Sequence, residues 1–124
     1  MMRGAGSAGP QGQQAAMDIT PAEAARRMAA ENLALIDVRE PYEWEAGHVP
    51  GSSHVEMASL GERLDEIPED RPVAFLCLSG ARSGLVASTL KARGYDAFNV
   101  EGGFRAWFEA GLPTEPEGAT VAPH

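Results

Sequence analysis

Residues 73–94 read VAFLCLSGARSGLVASTLKARG. An unbroken apolar run, VAFLC at 73–77, passes through a Gly-Ser turn into SGLVASTLKARG at 83–94, which reads as a helix with basic residues near its end and a glycine stop. Continuous rather than alternating apolarity marks a strand that is covered on both faces. A strand feeding directly into a helix is the unit from which parallel sheets are built. The rest of the chain repeats that unit. LALIDV at 33–38 and YDAFNV at 95–100 are further strands, and HVPGSSHVE holds a Pro-Gly turn and a short one. Thr20 caps a helix opened by Pro21, with Glu23 completing a capping box. PYEWEAG at 41–47 gives one or two helical turns closed by Gly47, and FRAWFEAG at 104–111 a final amphipathic helix. Met57, Leu60, Leu64 and Ile67 recur at helical spacing. The predicted class is α/β, a parallel sheet with helices on both faces.

The 124 residues suffice for one domain with a core of its own. Residues 1–16 are Gly, Ala, Gln and Ser with almost no large apolar side chains, and 114–124 carry prolines without periodicity. Both read as flexible tails around a domain at 17–113. A formal charge of -8 makes nucleic acid and anionic membranes poor partners for this surface. No apolar run approaches membrane-spanning length, and residues 1–16 lack the apolar block of a secretory signal, so a cytoplasmic protein is expected. Cys77 is the only cysteine, which removes an internal disulfide and suits a reducing compartment.

That cysteine stands where a strand hands over to a helix. Oriented N–H groups at a helix start lower a thiol's pKa. Gly80 allows a bend in which successive N–H groups turn inward as an anion nest, and Arg82 adds a fixed positive charge. Leu78, Ser79, Gly80, Ala81, Arg82 and Ser83 thus form a candidate cradle for a reactive Cys77 thiolate. The alternative is an inert buried cysteine, a common fate of this residue at the end of an apolar strand. In open parallel sheets ligands bind at the C-terminal ends of strands. Asp37, Cys77 and the Glu-Gly-Gly at 101–103 all fall there, so they should converge.

The supporting candidates each have a structural reading as well. His48 is either a base for Cys77 or, as the surrounding turn favours, a partner for backbone groups. Asp37 and Arg39 either shape the site or form an ion pair that holds the loop after their strand. Gly102 and Gly103 either let the backbone approach the active loop or make a tight turn. Trp44, Trp107 and Phe104 read as core or rim. His48, His54 and His124 show no metal-ligand spacing, so neither a metal nor a cofactor is expected.

Three segments together resemble the rhodanese-like domain family. LIDVREPYEWEAGHVPGSSHV at 35–55 is similar to its first signature, CLSGARS at 77–83 to its active-site loop, and FNVEGGFRAW at 98–107 to its closing Gly-Gly-aromatic segment. The resemblance implies a five-stranded parallel sheet flanked by helices and a sulfurtransferase in which Cys77 takes a sulfane sulfur as a persulfide. The donor would be thiosulfate or a persulfide, and the acceptor cyanide, a small thiol or a protein thiol. Members that use thiosulfate well carry basic residues just after the cysteine, whereas Leu78 and Ser79 are neutral; Trp44 and Ser52 also depart mildly from the pattern. Arg82 is left either to meet an anionic donor or to pair with Asp37 or Glu43. Two other readings compete: a sulfur carrier or partner-binding module without turnover, and a cysteine phosphatase or arsenate reductase. The latter enzymes need five residues between Cys and Arg, and four separate Cys77 from Arg82.

Overall fold

Thr20 Oγ1 accepts the Glu23 N–H at 3.1 Å and Pro21 sits in the first turn, so capping chemistry fixes the start of helix α1, Pro21–Ala30. The computed structural model describes residues 17–124; the tail expected at 1–16 lies outside them. Just before α1, Asp18–Ile19 forms strand β1. There follow β2 (Ala34–Asp37), α2 (Pro41–Ala46), β3 (Ser53–His54), β4 (Val73–Leu76), α3 (Ala81–Ala92), β5 (Ala97–Val100) and α4 (Gly103–Glu109). The five strands make one sheet in the order β1-β5-β4-β2-β3, every pair parallel. β4 lies at its centre, in register with β2 (Asp37 beside Leu76) and with β5 (Phe75 beside Asn99).

Successive side chains of β4 alternate between two apolar layers, as a pleated strand requires. Val73 and Phe75 point into a cluster with Val86 and Leu90 of α3. Ala74 and Leu76 point into a second cluster with Ala24 of α1 and Phe104 and Trp107 of α4. All four β4 residues are fully buried, which is why that strand reads as a continuous apolar run.

Several elements differ from the sequence-based expectation. β1 is two residues long, too short to carry a pattern, and was not anticipated. Met57, Leu60, Leu64 and Ile67 do turn toward the core, but the first three lie on two 3-10 segments, Met57–Glu62 and Leu64–Glu66, and Ile67 caps the second. Two of their three spacings are three residues, which suits the tighter helix. α3 starts at Ala81, earlier than Ser83, because Gly80 enters it with a left-handed backbone, φ 104°. Residues 114–124, expected as a flexible tail, lie against the domain: Glu115 pairs with His48 in an isolated antiparallel bridge, and the Thr120 N–H reaches the Ala46 carbonyl at 2.9 Å. A composition without periodicity says only that such a segment makes no helix or strand; it can still dock through its backbone.

Candidate active site

The C-terminal edge of the sheet brings Cys77, the start of α3 and the 101–103 turn together. Cys77 follows β4 directly, and its residue is 1% exposed. Its Sγ accepts the Gly80 N–H at 3.1 Å, and the Ser83 hydroxyl lies 3.3 Å away. The four-residue span from Cys77 to Gly80 has to fold back on itself for this contact. Gly80, in a region that L side chains avoid, supplies the bend. Burial pushes the Cys77 thiol up, but the Ser83 hydroxyl and the backbone N–H groups of Ser83, Gly80 and Ser79 outweigh it. They hold the thiol below its ordinary value, the direction a nucleophile needs.

The 101–103 turn is the floor of the loop. Phe104 N–H donates to the Cys77 carbonyl at 2.7 Å and Arg105 N–H to the Leu78 carbonyl at 3.1 Å. Gly103 lies so close that an added Cβ would run into both carbonyl oxygens, and its φ is +63°. Gly102 caps α4 in the left-handed conformation.

Arg82 is engaged by a carboxylate. Its two terminal nitrogens donate to the two oxygens of Glu43, at 3.1 and 3.2 Å. Glu43 is fully buried on α2, and His124 Nδ1 lies 3.3 Å from its Oε1. Burial pushes Glu43 up, but the Arg82 hydrogen bonds, the Glu40 N–H and the charges of Arg82 and His124 hold it below the usual carboxylate range. Burial likewise lowers Arg82, and Glu43 more than restores it, so its pKa is raised.

The remaining candidates stand apart from the sulfur's contacts. Asp37 and Arg39, both fully buried, form a bidentate pair at 2.8–3.1 Å. Arg39 also donates to the Gly47 carbonyl at 2.7 Å and stacks on the Phe104 ring. The pair ties the loop after β2 to α2 and α4. His48 stacks on Trp44 with ring centroids 3.8 Å apart; its Nδ1 meets the Trp44 carbonyl at 2.8 Å and its Nε2 meets Glu115 at 3.2 Å. Both ring nitrogens are therefore engaged away from Cys77. Among the described residues, no group of three or more His, Cys, Asp or Glu side chains is placed to hold a metal ion.

A cleft of about 680 Å³ opens over the loop, lined by Leu78, Ser79, Ala81, Arg82, Arg105 and His124 among others. Sequence reasoning did not single out Asn99, Arg105 or His124 for this site. Asn99 had a readable signal, an amide inside an apolar strand. Arg105 and His124 had none, because their placement depends on how α4 and the C-terminal segment pack.

A buried thiol held by backbone N–H groups where a central strand hands over to a helix sets the class: a parallel α/β fold with its lone cysteine at the C-terminal edge of the sheet. The chain belongs to the rhodanese-like domain family, whose pattern matches residues 20–110. It is 37% identical over 99 residues to the thiosulfate sulfurtransferase GlpE of Actinobacillus succinogenes, covering 79% of this chain and 89% of that protein. It is 43% identical over 74 residues to the uncharacterized protein YqhL of Bacillus subtilis, and the match covers 59% of each. A rhodanese-related protein from Thermoplasma volcanium superposes with a TM-score of 0.74 at 30% identity, covering 79% of this chain and 96% of that one.

Proposed function

We propose that the protein is a sulfurtransferase that moves a sulfane sulfur from a donor to a thiophilic acceptor through a persulfide on Cys77. The observation that carries this reading is the convergence of the Gly80 N–H and the Ser83 hydroxyl on one thiol held below its ordinary pKa. The Cys77 thiolate attacks the outer sulfur of the donor. An S–S bond to Cys77 forms, the donor's own S–S bond breaks, and sulfite or a thiolate leaves with the electron pair. The loop N–H groups hold the persulfide anion. A cyanide ion or an acceptor thiolate then attacks the outer sulfur, which restores the Cys77 thiolate and gives thiocyanate or a new persulfide. Cys77 is the only cysteine in the sequence, so no neighbouring thiol of this chain competes for the sulfur.

The name of the Actinobacillus relative supports thiosulfate as one donor. Leu78 and Ser79 bring no charge for it, and Arg82 is bound to Glu43. That leaves Arg105 at the cleft as the cation best placed to meet an anionic donor. The same Arg82–Glu43 pair argues against a phosphatase, because a phosphoryl group needs the arginine fork that Glu43 occupies. A protein thiol as acceptor, and a carrier role without multiple turnover, follow the same first step. Among the described residues no helix is long and apolar enough to cross a membrane, and we assign the reaction to the cytoplasm, where the thiol stays reduced.

Mass spectrometry after incubation with thiosulfate, or with a small persulfide, tests the reading. The expected result is one added sulfur atom on the wild type and none on Cys77→Ser. Phosphatase activity that depends on Cys77, with no persulfide formed from either donor, would overturn it.

A further inference from the structure

The Ser83 hydroxyl is asked to serve two groups. Its Oγ lies 2.6 Å from Asn99 Oδ1 and 3.3 Å from Cys77 Sγ, and a hydroxyl has a single proton. Asn99, 7% exposed on β5, sets its amide where a Cβ added at Gly80 or Gly84 would meet it at the start of α3, and its Nδ2 donates to Asp18 Oδ1 at 3.3 Å. We infer that Asn99, oriented by Asp18, decides which acceptor the Ser83 proton serves and thereby sets how readily Cys77 ionises.

The acceptor of the Ser83 proton depends on the protonation state of the sulfur. While Cys77 is a neutral thiol, Ser83 donates to Asn99, the shorter contact, and its lone pairs face the S–H. Once the thiol ionises, sulfur can only accept, so the hydroxyl turns to it and the buried Asn99 oxygen loses its donor. An amide turned end for end would repair the loss by donating Nδ2–H to Ser83. Asp18 opposes that turn, because it would set the amide oxygen against a carboxylate. Asp18 and Asn99 therefore restrain the free thiolate. They put no such restraint on the persulfide, whose charge sits on the outer sulfur. Asn99 is a positioning residue in this scheme, acting through Ser83 and touching no substrate.

The other charged groups around the loop are accounted for by their own partners or positions. Asp37 and Arg39 at the end of β2 pair with each other, and Glu43 on α2 pairs with Arg82 and His124, with Glu40 at its N-terminus. Arg105 and Glu109 on α4 line the cleft, and Glu101 after β5 is exposed. None is altered by the variants below.

The inference rests on Cys77 being the nucleophile, but its test uses neutral iodoacetamide and needs no sulfur transfer. The midpoint of the alkylation rate against pH is measured for the wild type, Asp18→Ala, Asn99→Val, Ser83→Ala and the two double variants with Ser83→Ala. Asp18→Ala lets the amide turn and Asn99→Val removes the competing acceptor, so each should lower the midpoint by about half to one pH unit. Ser83→Ala should raise it. With Ser83→Ala in place, neither Asp18→Ala nor Asn99→Val should shift it further. Asp18 is exposed, so that variant decides the matter even where Asn99→Val fails to fold. An unchanged midpoint in Asp18→Ala overturns the inference, as does a shift that persists without the Ser83 hydroxyl.

Discussion

Glu43 is fully buried yet keeps a depressed pKa, because Arg82, the Glu40 N–H and His124 offset its desolvation. A carboxylate whose folded pKa is lowered adds stability above its unfolded value, about 4.3, and loses it as pH falls through the folded value. Urea denaturation followed from pH 7 downward should therefore show wild-type stability falling below about pH 4.3 more steeply than that of Glu43→Gln. At neutral pH the substitution should cost about 1–3 kcal/mol, since it leaves Arg82 without a counter-charge. Parallel profiles would remove the pair from the account of acid sensitivity. The same variant frees the Arg82 charge for substrate, so loading of Cys77 by thiosulfate should quicken in Glu43→Gln. Arg105→Ala should do the opposite, slowing loading by thiosulfate about three- to tenfold with no comparable effect on a neutral reagent. Equal slowing for thiosulfate and iodoacetamide would mean that Arg105 shapes the loop instead of attracting the donor.

At the scale of elements, the β4–α3 junction holds Cys77 and the α4 start holds the junction in place. Gly103 has a positive φ and no space for a Cβ beside the Cys77 and Leu78 carbonyls. Gly103→Ala should cost about 1–3 kcal/mol from backbone strain alone, with more from the displaced loop. It should also raise the alkylation midpoint as the Gly80 N–H leaves the sulfur. A stable Gly103→Ala protein with an unchanged midpoint would show the floor to be dispensable. Much of this junction was legible in sequence. The apolar run at 73–77, the Gly80 bend and the helix that follows are local features, and the structure reproduces the order they imply. What could not be read is how distant segments divide the available hydrogen bonds. The sequence leaves Arg82 a choice between substrate and carboxylate, and only the packing of α2 brings Glu43 to it. Asn99 is one residue of a four-residue strand, and nothing local shows that it meets both Ser83 and Asp18. The two-residue β1 likewise exists only as a partner of β5.

Across the whole molecule, the segment after α4 returns to the side of the domain that carries the cleft. Glu115 and His48 exchange backbone hydrogen bonds at 2.8 and 2.9 Å, the Tyr42 hydroxyl donates to the Pro123 carbonyl at 3.0 Å, and Val121 packs against the second apolar cluster. His124 then reaches Glu43 and lines the cleft. The sheet lies wholly within residues 18–100, so a chain ending at Pro113 should still fold. It loses a few hydrogen bonds and the half-buried Thr114, Ala119, Val121 and Ala122, together about 1–3 kcal/mol. Thermal midpoints should fall by roughly 5–15 °C for a domain of this size. The cleft should widen as well, because the wall supplied by His124 is gone. Alkylation by a bulky maleimide should then accelerate more than alkylation by iodoacetamide, measured as the ratio of the two rates at a fixed pH. His124→Ala in the full chain should reproduce part of the change in ratio with little change in thermal midpoint, which separates the effect of the side chain from that of the segment. If truncation leaves both the midpoint and the rate ratio unchanged, the segment neither braces α2 nor restricts access to Cys77.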